Sequence, residues 1–380
     1  MSVRKREWTT RKGEAREAWI VAYTDQEGKR HIETFDRKKD ADERHDKVRG
    51  DVRQGVHTPH NKSLSVAEAA DDWIAYVKLE GRERSTFEQY GRHVKLHIAP
   101  RIGREKLAKL TTPRIEKFRD GLLQDLSRAQ AKKVLTSLKM LLRDARRRGN
   151  VAQNVAADVK ISPDKRGKKK LKVGVDIPTP DEIKRIVHTA KGRARPFLIT
   201  AIFTGLRSSE LRGLRWEDVD LKKGELHVRQ RVDRYNVIGK PKSESGDRTV
   251  PLGPLVVNTL KEWRLACPKG DLGLVFPNVL GKFADHGRVV SRLLCPTLVA
   301  AGVVDGKGEA KYTGLHALRH FYASWCINRR ADGGLELPIK AVQQRLGHSS
   351  IVITSDVYGH LFPRTDDGRE LADAEKLLLA

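Results

Sequence analysis

The 380-residue sequence predicts a mainly α protein with small β-sheets. Three observations carry this prediction. Apolar residues alternate with period two near the N-terminus, they recur every three or four residues behind repeated capping boxes afterwards, and one pair of strand-like stretches interrupts the later helices. The expected organisation is an N-terminal three-stranded-sheet-plus-helix module over residues 1–60 and a helical bundle over 63–160. A basic linker over 161–178 and a mixed, mostly helical domain over 179–380 follow.

In the first module, EAWIVAYTDQEGKRHIETF alternates on both sides of the DQEG turn, as a hairpin does, and RKKDADERHDKVRGDVRQG follows as a basic helix. From residue 63 the period changes. Ser65 and Glu68 form a capping box ahead of the helical face of Trp73, Ile74 and Val77, and Ser85 with Glu88 forms a second. Thr112 followed by Pro113 is a cap with proline at the first helical position. Ser127 with Gln130 opens the helix of Val134, Leu135, Leu138, Leu141 and Leu142, which Gly149 ends. Residues 161–178, ISPDKRGKKKLKVGVDIP, have no apolar period and read as a charged tether. TPDEIKRIV then opens the last domain with another capping box, and within it ELHVRQ and RTVPL are strands flanking the basic connection VIGKPKSESGD.

Lys and Arg number 75 against 49 Asp and Glu, a formal charge of +26 that calls for a polyanionic partner, nucleic acid first. The helical bundle has the larger share of the two N-terminal parts: 22 basic and 12 acidic residues over 61–160, against 15 and 12 over 1–60. No stretch approaches the run of about 18 apolar residues that crosses a membrane, and the first residues lack the apolar core of a signal peptide, so a cytoplasmic protein is expected. Cys267, Cys295 and Cys326 form no CxxC pair and lie among apolar residues. They read as reduced core residues, with neither a disulfide nor a zinc site expected.

Four stretches could carry chemistry: TGLRSSEL at 204–211, KPKSESGDRTVPL at 240–252, HALRH at 316–320 and LGHSSIVITSDVYGH at 346–360. Thr313 can cap a helix that places His316, Arg319 and His320 on one face, at spacings of three and four. A metal on that face would want an acidic ligand, which neither HALRH nor LGHSS supplies. A phosphate fits better, because a guanidinium is a planar, permanent cation that matches two phosphate oxygens at once.

These four stretches, in this order, resemble the tyrosine recombinase family, the phage-integrase type of site-specific DNA recombinase. The resemblance covers residues 179–365, while 63–160 looks like the family's SAM-like core-binding domain and 1–60 looks, by pattern alone, like its arm-type DNA-binding domain. It implies that Tyr358 is the nucleophile that attacks a DNA phosphodiester and becomes joined to the 3′ phosphate. Arg207 and Arg319 would clamp the non-bridging oxygens, His316 would accept the tyrosine proton or hydrogen-bond the phosphate, and His348 would donate to the same phosphate. Lys242, with Lys240 as the alternative, would protonate the departing 5′ oxygen. Glu210 is expected to orient a cation, His320 to buttress its helix and His360 to cap the helix of the nucleophile.

Because bond energy is conserved in the phosphotyrosine and the arginines and lysine supply the positive charge, the resemblance implies a reaction without metal, cofactor or ATP. The implied partners are double-stranded DNA attachment sites of core and arm type, a homotetramer on a Holliday junction, and an excisionase with a DNA-bending host protein. The apolar residues Leu371, Ala374, Leu377 and Leu378 of the tail keep helical spacing and would dock on a neighbouring protomer or on their own domain. A type IB topoisomerase-like enzyme and a non-catalytic DNA-binding regulator are the alternative readings.

Overall fold

The computed structural model describes residues 2–9, 15–24, 28, 30–53, 63–162, 170–241, 243–362, 372 and 375–380, and the chain divides into two units, residues 1–168 and 169–380. In the first, β1 (Ser2–Thr9), β2 (Ala15–Thr24) and β3 (Arg30–Phe35) form an antiparallel sheet in that order, with Arg4 opposite Ile20 and Ile20 opposite Thr34. Alternation along β2 puts Val21 and Tyr23 on one face, where they join Ala41 and Val48 of α1 (Lys38–Arg53) in a small core.

The helical part of this unit has a core of its own. The capping box of Ser65 and Glu68 opens α2 (Val66–Leu79), and α3 (Arg84–His93) passes through a π-turn at Val94–Ile98 into α4 (Ala99–Ile102). The bundle is completed by α5 (Thr112–Asp125) and by α6 (Arg128–Arg147), which Ser127 caps and which stops before Gly149 at φ +76°. Leu138, Leu141, Ile115 and Phe118 fill its centre, and Trp73 stacks on Tyr90 at 4.7 Å. Two expected caps differ. Ser85 is inside the first turn of α3, which starts earlier than expected, at Arg84, with Glu83 as an N-cap without a side-chain bond; the Glu88 side chain pairs with Arg84 at 2.7 Å. The cap of α5 is Thr111, one residue earlier than expected, and the Thr112 hydroxyl donates to the Val155 carbonyl.

In the second unit the box of Thr179 and Glu182 opens α7 (Pro180–Thr189), as expected. Next comes α8 (Ala194–Thr204), apolar on all sides and buried at the centre of the core. It is followed by α9 (Ser208–Gly213) and a three-stranded antiparallel sheet of β4 (Val219–Asp220), β5 (Glu225–Val228) and, after an insertion, β8 (Arg248–Pro251). The insertion holds a second hairpin, β6 (Arg231–Val232) with β7 (Ile238–Gly239). The rest is helical: α10 (Pro254–Ala266), α11 (His286–Val289), a π-turn, α12 (Cys295–Ala300), α13 (His316–Ile327), α14 (Ile339–Leu346) and α15 (Ile351–Tyr358). Exposed Thr313 does not cap α13; Leu315 takes that position with no side-chain bond.

The expected tether is shorter than residues 161–178. Ile161 is buried in the helical core of the first unit, and Ile177 is fully buried in the core of the second, so apolar burial claims both ends. Of the three free cysteines, Cys326 is buried while Cys267 and Cys295 are half-buried. Leu377 and Leu378 are 81% and 85% exposed, and Leu371 and Ala374 lie outside the described residues. Among the described residues no helix is long and apolar enough to cross a membrane.

Gly205 ends α8 at φ +61°, and a Cβ there would lie 2.3 Å from the Tyr322 ring. Left-handed strain and overpacking then add, so Gly205→Ala should lose at least about 2 kcal/mol in urea unfolding. Gly121, inside α5 with nothing within 4 Å of its absent Cβ, gives the contrast: Gly121→Ala should be neutral or stabilise by up to about 1 kcal/mol. Equal behaviour of the two variants would remove the steric argument.

Candidate active site

The four sequence stretches converge on the C-terminal end of α14. The last carbonyls of a helix have no intrahelical partner and carry the negative end of its dipole. Here three consecutive carbonyls each receive a guanidinium. Arg248 Nε donates to the Arg345 carbonyl at 2.8 Å, Arg319 Nη2 to that of Leu346 at 2.6 Å, and Arg207 Nη2 to that of Gly347 at 2.9 Å. The turn requires Gly347: it has φ +63°, and a Cβ would lie 2.8 Å from Arg248 Nη1 and 2.9 Å from the Ser245 carbonyl.

Glu210 fixes two of these cations from the other side. Its carboxylate accepts the Arg207 backbone N–H at 2.9 Å, Arg207 Nη1 at 2.7 Å and Arg248 Nη2 at 2.9 Å. Burial by itself would raise the Glu210 pKa, but Arg248 and Arg207 outweigh it and hold the carboxyl below the usual range. Arg319 also donates Nη1 to the Gly205 carbonyl at 2.6 Å. Its burial pulls the guanidinium down to about 10, helped by repulsion from Arg207, so it stays charged at neutral pH. Arg207 keeps a third of its side chain exposed, whereas Arg319 is 2% exposed.

Tyr358, the last residue of α15, is 1% exposed and packs with Tyr322, Cys326, Val342 and Leu346. Its hydroxyl lies 2.7 Å from His320 Nδ1, and its ring is parallel to that of His348 at 6.3 Å. Burial pushes the phenol up to about 12, partly opposed by Arg319 and Arg207. Burial pulls both His320 and His348 down to about 4, so both rings are neutral at pH 7; His316 and Arg319 add to the effect at His320, and Arg319 and Arg207 at His348. His348 Nδ1 lies 2.9 Å from the hydroxyl of Thr354, and its backbone is gripped by Gln343.

The structure redistributes three of the expected positions. His320 does more than brace its helix, because it, and not the exposed His316, contacts the Tyr358 hydroxyl; the His316 ring stands edge-on to His320 at 4.6 Å. The two rings share one helix face, one turn apart, and only the second reaches the phenol. His360 does not cap α15 with its side chain but reaches the Leu171 carbonyl at 2.7 Å. Lys240 is exposed at the end of the second hairpin, and Lys242 lies outside the described residues. Arg248, Thr354 and Gln343 were not singled out from the sequence. Arg248 reads there as an ordinary strand-edge cation, and only its burial, with 6% of the side chain exposed, sets it apart.

Two family patterns lie in sequence along the chain: the N-terminal SAM-like domain of phage integrases matches residues 65–123, and the phage integrase family itself matches residues 178–364. A tyrosine recombinase XerC-like protein of Caldanaerobacter subterraneus subsp. tengcongensis is 27% identical over 86% of this chain and 87% of its own length. The prophage integrase IntR of Escherichia coli is 37% identical over 47% of this chain and 46% of its own. Among solved structures, the Tn1549 transposon integrase in complex with transposon right end DNA shares the fold with a TM-score of 0.65 at 20% identity, covering 83% of this chain and 100% of that one. A lambda integrase dimer bound to a COC' core site does so with a TM-score of 0.58 at 20% identity, over 96% and 95%. The matched patterns contain all four motif stretches, and the chain belongs to the phage integrase family of tyrosine recombinases: it is a site-specific DNA recombinase.

Proposed function

We propose that Tyr358 cleaves DNA at a phosphodiester held by Arg207, Arg319 and His348. The single observation that supports this most is the buried Tyr358 hydroxyl at 2.7 Å from His320, under the field of Arg207 and Arg319. A phenol near 12 is a weak nucleophile, so attack needs its proton removed as the bond to phosphorus forms. A neutral His320 with its hydrogen on Nε2 accepts that proton at Nδ1, and exposed His316 is left to meet the phosphate. The Tyr358 oxygen bonds to phosphorus, the bond from phosphorus to the 5′ oxygen breaks, and that oxygen takes a proton from Lys242 or Lys240. Rejoining runs the same steps in reverse from another 5′ hydroxyl, so no energy source is consumed.

The electrostatics support the same reading. Three guanidiniums against the one Glu210 carboxylate leave surplus positive charge where a five-coordinate phosphorane gains negative charge. His348, neutral and taking the Thr354 hydroxyl on Nδ1, has its Nε2–H available as a donor to a phosphate oxygen. DNA core sites are the proposed substrate of the second unit together with the helices of residues 63–160. Arm sites are proposed for the module of residues 1–60, and a tetramer passing through a Holliday junction for the exchange itself. The lambda integrase tetramer bound to a Holliday junction, fold-similar at a TM-score of 0.56, 19% identity and 90% coverage of this chain and 95% of that one, supports that assembly. Integration and excision of a phage or other mobile element, with an excisionase and a DNA-bending host protein, is the role that fits.

Adduct formation on a nicked core-site duplex, followed at equal DNA occupancy, tests the chemistry. Tyr358→Phe should bind and give no covalent adduct; an adduct at the wild-type level would place the nucleophile elsewhere. Arg207→Ala should slow cleavage by roughly 10²- to 10³-fold, the scale of one lost transition-state contact. His320→Gln should slow it more than His316→Gln if His320 takes the tyrosine proton, and the reverse order would return that role to His316.

Removing residues 1–60 should abolish arm-site binding in a mobility-shift assay while core-site binding persists. Undiminished arm binding would end the assignment of that module.

The depressed histidines also fix a sign. Unfolded His320 and His348 would take up protons below about pH 6.5, whereas the folded rings resist until about 4, so the unfolded state binds more protons in between. Stability of the second unit should therefore fall as pH drops from 7 to 5, and the slope of melting temperature against pH should be shallower in His320→Gln. An unchanged slope in that variant would mean the imidazole is charged in the folded protein.

A further inference from the structure

The β6–β7 hairpin leads directly into residues 240–242, which carry both lysine candidates for the general acid. What holds that hairpin is a buried cation. Arg212, 3% exposed near the end of α9, donates Nε to the Ala284 carbonyl at 2.6 Å, Nη1 to the Asp233 and Val232 carbonyls at 2.9 and 3.4 Å, and Nη2 to Asn236 Oδ1 at 2.6 Å. Among the described residues no carboxylate forms an ion pair with it, and burial draws its pKa down, with Asp285 and Asp233 acting against this from farther off. A charge buried against neutral acceptors is a costly way to stabilise a fold, since apolar side chains of similar volume do so at least as well. What the planar fork contributes is direction, because its donors tie two chain segments, the hairpin and Ala284, to its own helix at set angles.

We propose that Arg212 is a positioning residue for strand cleavage, locking the lysine-bearing hairpin to the helix that begins at Arg207. This inference rests on the reading that a lysine of residues 240–242 protonates the leaving 5′ oxygen. Helix α9 is the shared part: Arg207 is its N-cap and Glu210 its third residue, and Arg212 points away to the hairpin. The gripped turn is itself rigid. Asn236 has φ +62°, the Asp233 side chain accepts the N–H groups of Tyr235 and Val237, and Arg231 Nε reaches across to the Lys240 carbonyl at 3.2 Å. Gly213 brings the end of α9 against β6 so closely that a Cβ would lie 3.2 Å from the Arg231 backbone, and Gln230 bonds the Gly213 carbonyl at 2.7 Å. Ala284, the other segment on the fork, precedes the Asp285 cap of α11, whose His286 returns to Ser208 at the start of α9 at 2.7 Å. The phosphate clamp and the chain as far as Lys240 thus share one closed circuit of bonds, and Arg212 is its central member.

The test separates leaving-group chemistry from folding. Single-turnover adduct formation is measured on a nicked duplex of the enzyme's own core site, with an ordinary 5′ oxygen or a 5′-bridging sulfur at the scissile phosphate, at equal DNA occupancy. Sulfur departs without a proton, so it bypasses the lysine. Arg212→Lys keeps the charge but loses the fork, and should slow cleavage of the oxygen substrate by about 10²-fold, the scale of an ångström-level misplacement, while the sulfur substrate stays within a few-fold of wild type. Asn236→Gly accommodates the positive φ and removes one acceptor, so it should show the same pattern with a smaller loss, and it carries the test alone if Arg212→Lys does not fold. Equal losses on both substrates, or no loss on either, would overturn the inference. Lys240→Ala and Lys242→Ala run in parallel. If neither is rescued by sulfur, the general-acid reading falls and this inference with it; if one is rescued and the Arg212 and Asn236 variants are not, the inference alone falls.

Discussion

The C-terminal end of α14 is the constraint on which the site depends. Three arginines distant in sequence, Arg207, Arg248 and Arg319, meet on the carbonyls of residues 345–347, where helix geometry leaves acceptors free and the dipole favours cations. Hydrogen bonds from charged donors are worth roughly 1.5–3 kcal/mol each, enough to hold like charges together that would otherwise repel. The arrangement does two things at once. It closes the second unit around Gly347, and it gathers a surplus of positive charge, opposed among the described residues by Glu210, beside the Tyr358 ring.

The tyrosine is treated in the opposite way, with burial used to restrain it. Packed against Val342 and Leu346, its hydroxyl is less acidic than in water, and the neutral histidines around it do not compensate with charge. On the proposed reading such a phenol stays unreactive until a phosphate completes the cationic pocket and a base takes the proton. On the same reading, a buried, hydrogen-bonded nucleophile beside a surplus of positive charge ties strand cleavage to the arrival of DNA, and His320 holds the hydroxyl in the meantime.

Most of the fold was legible because it rests on local signals. The boxes at Ser65 and Thr179 and the cap at Ser127 appear where the sequence puts them, since a side-chain oxygen three residues from a backbone N–H is a local matter. The errors have equally local causes. Helix α3 begins at Arg84, which leaves Ser85 inside its first turn, and with Thr111 and Thr112 side by side the pattern does not say which hydroxyl caps α5. The ends of the tether escape a periodic reading because single apolar residues such as Ile161 and Ile177 give no period, although each is buried.

By itself the sequence determined the chemistry on offer: the residue types, their order along the chain, the basic balance and the helical framework, all of which are properties of composition and short spacing. Only the tertiary structure decided who touches whom. That Arg248 belongs to the site, that His320 and not His316 meets the Tyr358 hydroxyl, and that Arg212 grips the hairpin all depend on contacts across 20 or more residues. The spacing of HALRH puts His316 and His320 on one helix face and cannot choose between them. The choice is made by the packing of α15 against α13, which brings the phenol to one ring and not to the other.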